Sequence, residues 1–377
     1  MSRLTHHLLV LALGAAPFGA GCEEKKTSSS TPAADANAST DKYATADPKL
    51  AKVLQGGSAA SASSEKGPPP GGVFPVGMAD QRHPKGTPTH VELLLDGSEP
   101  RVSLRPAVES PPDSVRTSSY GPASLELAIQ MGPRVAMPTV DFAFSLGPAK
   151  KDDGGADWLV ADVKKAAPSR QQLGQLPAGM EKEVNALAGT SVRIQITPDG
   201  SESAVQTQLG KSAPPELERI ASGAAEALVL ATVPLPAKPV GVGAQWIAET
   251  RMPLCGLDVI AYRAYRVKAI EGDRLRLTLD VKAYAADKEA PLPGAPKGAT
   301  IEEFESESAG ELELVRGESL ARKSEMKERL VAVFQGPNAE QKAPSANGQP
   351  PGSGVMQIQT QATLVRGDDL RVTAKQP

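Results

Sequence analysis

The 377-residue sequence has little of the chemistry on which most catalytic and metal sites depend. It contains four histidines and two cysteines, and the histidines after the first seven residues are His83 and His90. Two histidines seven residues apart, without a second group of ligands, are not the pattern of a His/Cys zinc site. The sequence therefore predicts no metal and no cofactor.

Aromatic residues are also scarce, at 3% of the chain, so few stacking platforms exist for sugars or single-stranded nucleic acids. The formal net charge is −3, and no basic block offers a footprint for nucleic-acid phosphates. The sequence has no G-x-S-x-G motif and no phosphate-binding glycine loop. Paired carboxylates are frequent, but every acidic strand has them, so they select no chemistry. These absences predict a protein that is not an enzyme, has no catalytic residues and binds no nucleic acid.

The N-terminus, in contrast, has a clear pattern, which predicts a signal peptide over residues 1–21. A short positive region precedes an apolar run at residues 8–13 that is too short to span a bilayer. The stretch "GAAPFGAGC" resembles the lipobox of bacterial lipoproteins, in which the cysteine is acylated, with palmitate among its lipids, and becomes the mature N-terminus. The resemblance implies lipidation at Cys22. The alternative is a soluble secreted protein cut near residue 20 or 21.

The sequence after the cysteine divides into a tether and a folded domain. Residues 22–86 are low-complexity Ala/Ser/Pro/Gly sequence, which predicts a disordered tether. Residues 87–377 predict a single β-rich domain, with a mobile loop at residues 335–354. Glu23 resembles the sorting signal for the outer membrane. We therefore expect a membrane-tethered protein of the cell envelope, at the outer membrane and facing the periplasm or the surface.

Within the domain, apolar and polar residues alternate with period two, which is typical of strands with one buried and one solvated face. Clear examples are residues 125–131, 140–146, 192–196 and 275–281. Such alternation belongs to antiparallel sheets. Two segments have helical spacing instead, at residues 169–189 and from about residue 214. The sequence thus predicts an α+β fold, a large curved, mainly antiparallel, half-barrel-like sheet packed on two amphipathic helices.

Three places repeat one local pattern of an apolar residue, a charge, glycine, an acid, any residue and leucine. They are "IEGDRL", "VRGESL" and "VRGDDL", centred on Gly272, Gly317 and Gly367. Glycine supplies the positive φ of a tight bend, and an acid beside it is ordinary turn chemistry. The last stretch contains the integrin-binding tripeptide Arg366-Gly367-Asp368. The recurrence favours a structural turn over adhesion.

The stretch "VPLPAKPVGVGAQW" contains a pattern P-x-x-P-V-x-V-G-x-x-W. It resembles the signature of an uncharacterised family of bacterial secreted and lipid-anchored proteins, over residues 185–285. Pro236 and Pro239 are expected to hold the linker extended, and Gly241 and Gly243 to permit a bend. Trp246 is expected to open a strand as a core anchor. The resemblance implies an architecture and a compartment, and it implies no activity.

Two further groups have alternative interpretations. Cys255, in "RMPLCGLDV", is either a nucleophile or a small buried hydrophobic residue, and the second is favoured. The row Glu303, Glu305 and Glu307 could bind calcium, but no loop arranges oxygens around a centre, so a charged sheet edge is favoured.

Two functions are compatible with this sequence. The favoured one is a non-enzymatic envelope lipoprotein that acts as a scaffold or binds another envelope protein. It predicts a filled core with any apolar patch outside. The alternative is a carrier of an apolar ligand, such as a lipid acyl chain, in a half-barrel cavity. It predicts apolar surface in a cavity that the helices do not fill.

Overall fold

The alternating segments form one antiparallel sheet of thirteen strands in the part of the chain that the computed structural model describes. The described residues are 69–105, 121–131, 135–148, 158–169, 179–197, 200–214, 217–289, 298–337 and 354–367. The strands are β1 (His90–Leu95), β2 (Pro122–Met131), β3 (Val135–Ala136), β4 (Val140–Pro148), β5 (Trp158–Pro168), β6 (Ser191–Ile196), β7 (Glu202–Gln208), β8 (Gln245–Leu254), β9 (Leu257–Glu271), β10 (Arg274–Ala285), β11 (Thr300–Val315), β12 (Lys323–Gln335) and β13 (Gly354–Arg366). The α-helices are α1 (Met78–Arg82), α2 (Met180–Asn185) and α3 (Glu218–Leu230).

The strand order is β1-β8-β9-β10-β11-β12-β13-β2-β4-β5-β6-β7, and β3 pairs with β2 beside this path. Strands β8 to β13 are consecutive neighbours, so the C-terminal half is a meander of long hairpins. Strand β13 then pairs with β2, which joins the meander to the N-terminal strands. The sheet is open, and the predicted fold class, a large antiparallel sheet with helices, is confirmed.

The sheet curves around α3. Eight strands separate β9 from β7 in the sheet order, yet Arg263 of β9 forms a buried ion pair with Glu202 of β7. The Arg263 guanidinium also donates to the carbonyl oxygens of Val229 at 3.4 Å and Thr232 at 3.3 Å, at the end of α3. The inward side chains of the strands and one face of α3 therefore share a single core.

Helix α3 has the stripe that its sequence predicts, since Ile220, Ala224 and Leu228 are all buried. Gly223 allows it to approach the sheet closely, because a Cβ there would lie 2.9 Å from Ile129 Cδ1. The other predicted helix is present as the six-residue α2, which packs on β5. Its neighbours Leu173 and Leu176 lie outside the described residues.

Residues 69–86 fold against the sheet, so the prediction that the disordered tether extends to residue 86 is wrong for this stretch. The Phe74 ring is buried in edge contact with Tyr284, at 6.3 Å between ring centroids. The backbone N–H of Phe74 donates to Ala285 O at 2.9 Å. Val73 forms a parallel bridge with Ala285. The Pro/Gly-rich composition of the stretch conceals this apolar pair, which completes the end of β10. The earlier residues of the tether lie outside the described part of the chain.

The predicted loop at residues 335–354 connects the end of β12 at Gln335 to the start of β13 at Gly354. Its residues 338–353 lie outside the described part. Glu303, Glu305 and Glu307 are exposed on β11. Because β11 pairs with both β10 and β12, the prediction that this row marks a sheet edge is wrong.

The P-x-x-P-V-x-V-G-x-x-W stretch enters β8 as an extended segment. Pro236 is buried and Pro239 is exposed, on either side of a bend. Trp246 is 0% exposed, stacks on Tyr265 at 5.1 Å between ring centroids, and donates its indole N–H to Pro234 O at 2.9 Å. Its bulk thus fixes where β8 begins.

The glycines of this stretch meet a second loop. The Gly241 N–H donates to Asp96 O at 2.8 Å, and a Cβ on Gly241 would lie 1.7 Å from Ser98 O. Gly243 has a φ of +84°, so it takes the bend that an L side chain would strain. The glycine at position 241 therefore allows the backbone of the motif to lie close to the backbone of the Asp96–Ser98 loop.

Gly241→Ala is expected to destabilise the domain by about 1–3 kcal/mol, because the new methyl group forces the Ser98 loop to move. Gly121→Ala is the matched control, since a Cβ at Gly121 would have nothing within 4 Å. The measurement is denaturant unfolding of both variants beside the wild type. Equal midpoints for Gly241→Ala and the wild type would contradict the close approach.

Candidate functional site

The integrin-like tripeptide, which the sequence predicts to be a structural turn, has its arginine inside the protein. Arg366 is 3% exposed, and its guanidinium donates to Ala321 O at 2.8 Å, to Leu320 O at 2.6 Å and to Glu318. Glu318 belongs to the related "VRGESL" stretch, so two of the three repeated patterns bind each other. The favoured interpretation of a structural turn fits this burial, and Asp368 lies outside the described residues.

The three repeated glycines all adopt positive φ. Gly272 at +62° lies in the β9–β10 hairpin, and Gly317 at +84° lies in the connection from β11 to β12. Gly367 follows the last residue of β13, with a φ of +68°. These positions shape the sheet and lie at its bends. Cys22, the predicted lipidation site, lies outside the described residues.

A different set of side chains forms the site with the most unusual chemistry. Glu226 of α3, Cys255 of the β8–β9 turn and Glu328 of β12 place their ligand-type atoms within 4.8 Å of one another. We call these three residues the acid–thiol cluster. Their exposed fractions are 5%, 0% and 7%. It is the one group of this kind in the described ranges, and neither His83 nor His90 belongs to it.

The position of Cys255 follows from a two-residue hairpin. Leu254 and Leu257 pair across the turn, and Cys255 and Gly256 have φ values of +53° and +78°. Two positive φ values match the twist of a tight hairpin, but a residue other than glycine, asparagine or aspartate is uncommon there. The fold thus holds the thiol in a strained backbone position, directed into the core, as such residues often are at functional sites.

Glu328 is placed by the period-two pattern of β12. It falls on the same parity as the buried Met326 and Leu330, so its carboxyl group points inward. Its register partners are Ser308 in β11 and Thr360 in β13, which are buried on the same face. A polar row therefore crosses three strands of an otherwise apolar inner surface.

Several atoms of this region have no hydrogen-bond partner. They are Glu226 Oε2, Glu328 Oε1, Ser308 Oγ, Thr360 Oγ1 and two nitrogens of Arg219, Nε and Nη2. Buried polar groups in native proteins are paired in about nine cases of ten. A concentration of unpartnered oxygens at one place indicates that a water molecule or an ion belongs among them.

Arg219 lies seven residues before Glu226, two turns earlier in α3, and supplies a positive charge beside the cluster. Its Nη1 lies 3.4 Å from Glu226 Oε1. Burial raises the pKa of Glu226, whereas Arg219 and the backbone N–H groups of Cys255 and Gly256 favour the ionised carboxylate. An arginine stays charged in proteins, so its guanidinium is a fixed positive charge beside the Glu226 carboxyl group.

The other two members of the cluster prefer their neutral forms. Burial raises the pKa of Glu328 to about 8, with the charge of Glu226 adding to the effect and Arg219 opposing it. Burial also raises the pKa of the Cys255 thiol, with the charges of Glu328 and Glu226 adding to the effect and Arg219 opposing it. A thiol of this kind is a poor nucleophile at neutral pH, because the thiolate is the reactive form.

A recess of 180 Å³ reaches one side of the cluster. It lies between β7, α3 and the β8–β9 turn, and Glu226 is the cluster residue that lines it. The other lining residues are Val205, Thr207, Ser222, Ala225, Val229, Pro253 and Gly256. The recess has the volume for a few water molecules, and it connects the buried carboxylate with the region outside α3.

Sequence reasoning singled out Cys255 but missed Glu226, Glu328 and Arg219. The signals were present, since Glu226 interrupts the apolar run "GAAEALVLA" of a buried helix, and Glu328 stands on the apolar parity of its strand. A charge on a buried face marks a site when it has a specific partner. The partners come from distant parts of the chain, so the sequence alone did not reveal them.

The raised pKa of Glu328 predicts a pH dependence of stability. A protonated Glu328 in the folded state and an ionised one in the unfolded state make the fold lose stability as pH rises from about 4.5 to about 8. The loss approaches about 1.4 kcal/mol per pH unit within that window. Glu328→Gln removes the titrating proton, so the stability of this variant relative to the wild type should increase steadily from pH 5 to pH 8.

Denaturant unfolding of both proteins in the presence of a metal chelator, at pH 5, 6.5 and 8, measures this difference. Glu325→Gln is the control, because Glu325 lies on the same strand but on its exposed face. Parallel stability–pH curves for Glu328→Gln and the wild type would show that the Glu328 side chain is not held in its neutral form.

Comparison with known proteins does not extend this picture. No known protein family matches the chain, and no curated protein sequence matches it either. The resemblance of the Pro236–Trp246 stretch to an uncharacterised family therefore stays a prediction, and the geometry of the described residues is what guides the functional argument.

Proposed function

We propose that the chain is a non-enzymatic, lipid-anchored protein of the bacterial cell envelope, whose folded domain acts as a scaffold by binding another envelope protein. The observation that carries this proposal is the filling of the inner face of the sheet. Helix α3 packs against β2, β7 and β13, and the side chains between them are buried. A filled core of this kind leaves the outer surface for binding.

The alternative, a carrier of an acyl chain, needs an apolar cavity under the helices. Sites for small organic ligands have volumes of about 300–1,000 Å³. The recess beside α3 measures 180 Å³ and has Glu226 in its wall. A second groove, of 370 Å³, is lined by charged residues of both signs from β9 to β12, among them Lys268, Arg276, Glu311 and Glu325. The first is too small for an acyl chain and the second is lined by charged residues, so these two recesses in the described part of the chain favour the scaffold.

Catalysis by paired carboxylates is also disfavoured. Glu226 and Glu328 are buried and face each other, which is a geometry that acid–base enzymes use. Glu328, however, does not line the recess, so a substrate bound there would contact only one of the two carboxyl groups. The pair is therefore suited to something the size of an ion or a water molecule.

The membrane attachment of the proposal rests on the N-terminal sequence. None of the described helices is long and apolar enough to span a bilayer. The lipobox-like stretch before Cys22 would supply the attachment, because several acyl chains on one residue anchor a protein firmly where a single chain is marginal. Glu23 favours the outer membrane, with the domain facing the periplasm or the surface.

Cys22→Ala should abolish lipidation and release the protein from the membrane or leave its precursor unprocessed. Detergent phase separation and the mass of the mature N-terminus measure this directly. Cys255→Ala is the matched control. Cys255 is buried in the domain, so its substitution is expected to leave the partitioning between detergent and aqueous phases unchanged. A wild-type protein found in the aqueous phase would overturn the anchoring proposal.

Native mass spectrometry after mild extraction should separate the two functions. A scaffold is expected to give a folded domain without a stoichiometric lipid in its core. Cross-linking in intact cells is then expected to join the outer face of the domain to another envelope protein. A lipid that stays bound to the domain after its N-terminal anchor has been removed by proteolysis would support the carrier instead.

A further inference from the structure

We propose that Glu226, Cys255 and Glu328 form a zinc-binding site, in which one thiolate and two carboxylates hold the ion between α3, the β8–β9 turn and β12. Nothing in the proposed envelope role requires this site, so the two proposals stand or fall separately. The scarcity of histidine in the sequence predicts no metal, but a site built from a thiolate and carboxylates needs no histidine.

The geometry fits a small ion. Zinc binds thiolate sulphur at about 2.3 Å and carboxylate oxygen at about 2.0–2.2 Å, so tetrahedral ligand atoms lie roughly 3.5 Å apart. The three ligand-type atoms lie within 4.8 Å of one another. Closing the set requires side-chain shifts of about 1 Å, which rotation of the two glutamate side chains can supply. The hairpin fixes the thiol of Cys255, and the carboxylates close around it.

The unpartnered oxygens are the second and independent sign of a ligand. Glu226 Oε2 and Glu328 Oε1 are both buried and have no hydrogen-bond partner in the protein. Beside Glu328, Ser308 Oγ and Thr360 Oγ1 are also without partners. Ligating carboxylates in known sites are themselves hydrogen-bonded, and these two hydroxyl groups occupy the strand positions on either side of Glu328. An ion at the cluster would give the two carboxylate oxygens the partner that they lack.

A divalent ion would balance the charges of the site. With zinc, three anionic ligands carry three negative charges, and the ion and Arg219 carry three positive charges. The site with its ion is thus neutral as a whole, which avoids the cost of an uncompensated charge in the core.

The ligand types select zinc among the common divalent ions. Calcium and magnesium prefer sites made entirely of oxygen atoms, whereas a thiolate with carboxylates suits zinc. The recess that Glu226 lines gives the ion a route to the cluster. Three protein ligands leave a fourth position, which a water molecule bonded to Ser308 or Thr360 would fill. The depth of the cluster favours a structural role for the ion over a catalytic one.

The test uses the full mature protein in detergent, stripped of metal with a chelator and then titrated with zinc or with cobalt as a spectroscopic substitute. We expect one ion per chain, a thiolate-to-cobalt charge-transfer band in the near ultraviolet, and a higher melting temperature with zinc. Ligand binding to the folded state alone raises stability in proportion to the logarithm of its concentration. Cys22 does not contribute to the band when it is acylated.

Three variants make the test specific. Cys255→Ser should remove the charge-transfer band, and Glu328→Gln should weaken zinc binding at least 100-fold while the band persists at high cobalt concentration. Glu325→Gln, on the exposed face of the same strand, should bind as the wild type does. If Cys255→Ser does not fold, Glu328→Gln and the cobalt spectrum of the wild type still decide.

Two results would overturn the proposal. One is a folded, metal-free wild-type protein that takes up no stoichiometric zinc at pH 8. The other is zinc binding with no thiolate band for cobalt, or with an affinity that Glu328→Gln leaves unchanged, because the ion would then lie elsewhere on the protein.

Discussion

The ion pair between Arg263 and Glu202 is the contact on which the curvature of this sheet depends. It joins β9 to β7 across the inner face, and the same guanidinium holds two carbonyl oxygens at the end of α3. Charges this deep are expensive to bury, so the pair is tolerated because each partner needs the other. Loss of either side chain would leave an uncompensated charge in the core, at a cost of about 3–5 kcal/mol. The place of the helix and the bend of the sheet are thus set by one contact between distant strands.

The sequence allowed much of the secondary structure to be predicted, because period-two alternation is a local property of a half-buried strand. Strand order was not predictable, since it depends on pairings such as β13 with β2, more than two hundred residues apart in the chain. The predicted end of the tether at residue 86 was wrong for a related reason. Phe74 lies in a Pro/Gly-rich stretch, and only the end of β10 gives this side chain something to pack against.

The acid–thiol cluster could not be predicted from single positions of the sequence. Glu226 and Glu328 are each an exception to an apolar pattern, and a single exception has many explanations. Their meaning comes from Cys255, which a hairpin with unusual backbone angles places between them. The same long-range pairing that hid the strand order therefore hid the site, while the integrin-like tripeptide, which is obvious in the sequence, has its arginine buried.

The central place of β13 bears on how the chain reaches its folded state. This strand is the last one in the described chain, yet it lies between β12 and β2 and is the link between the two halves of the sheet. Until it arrives, β2 and β12 both have an unpaired edge, and neither half can complete the shared core. The two halves of the sheet, and the core that they share, are therefore completed only when this last described strand has been added between β12 and β2.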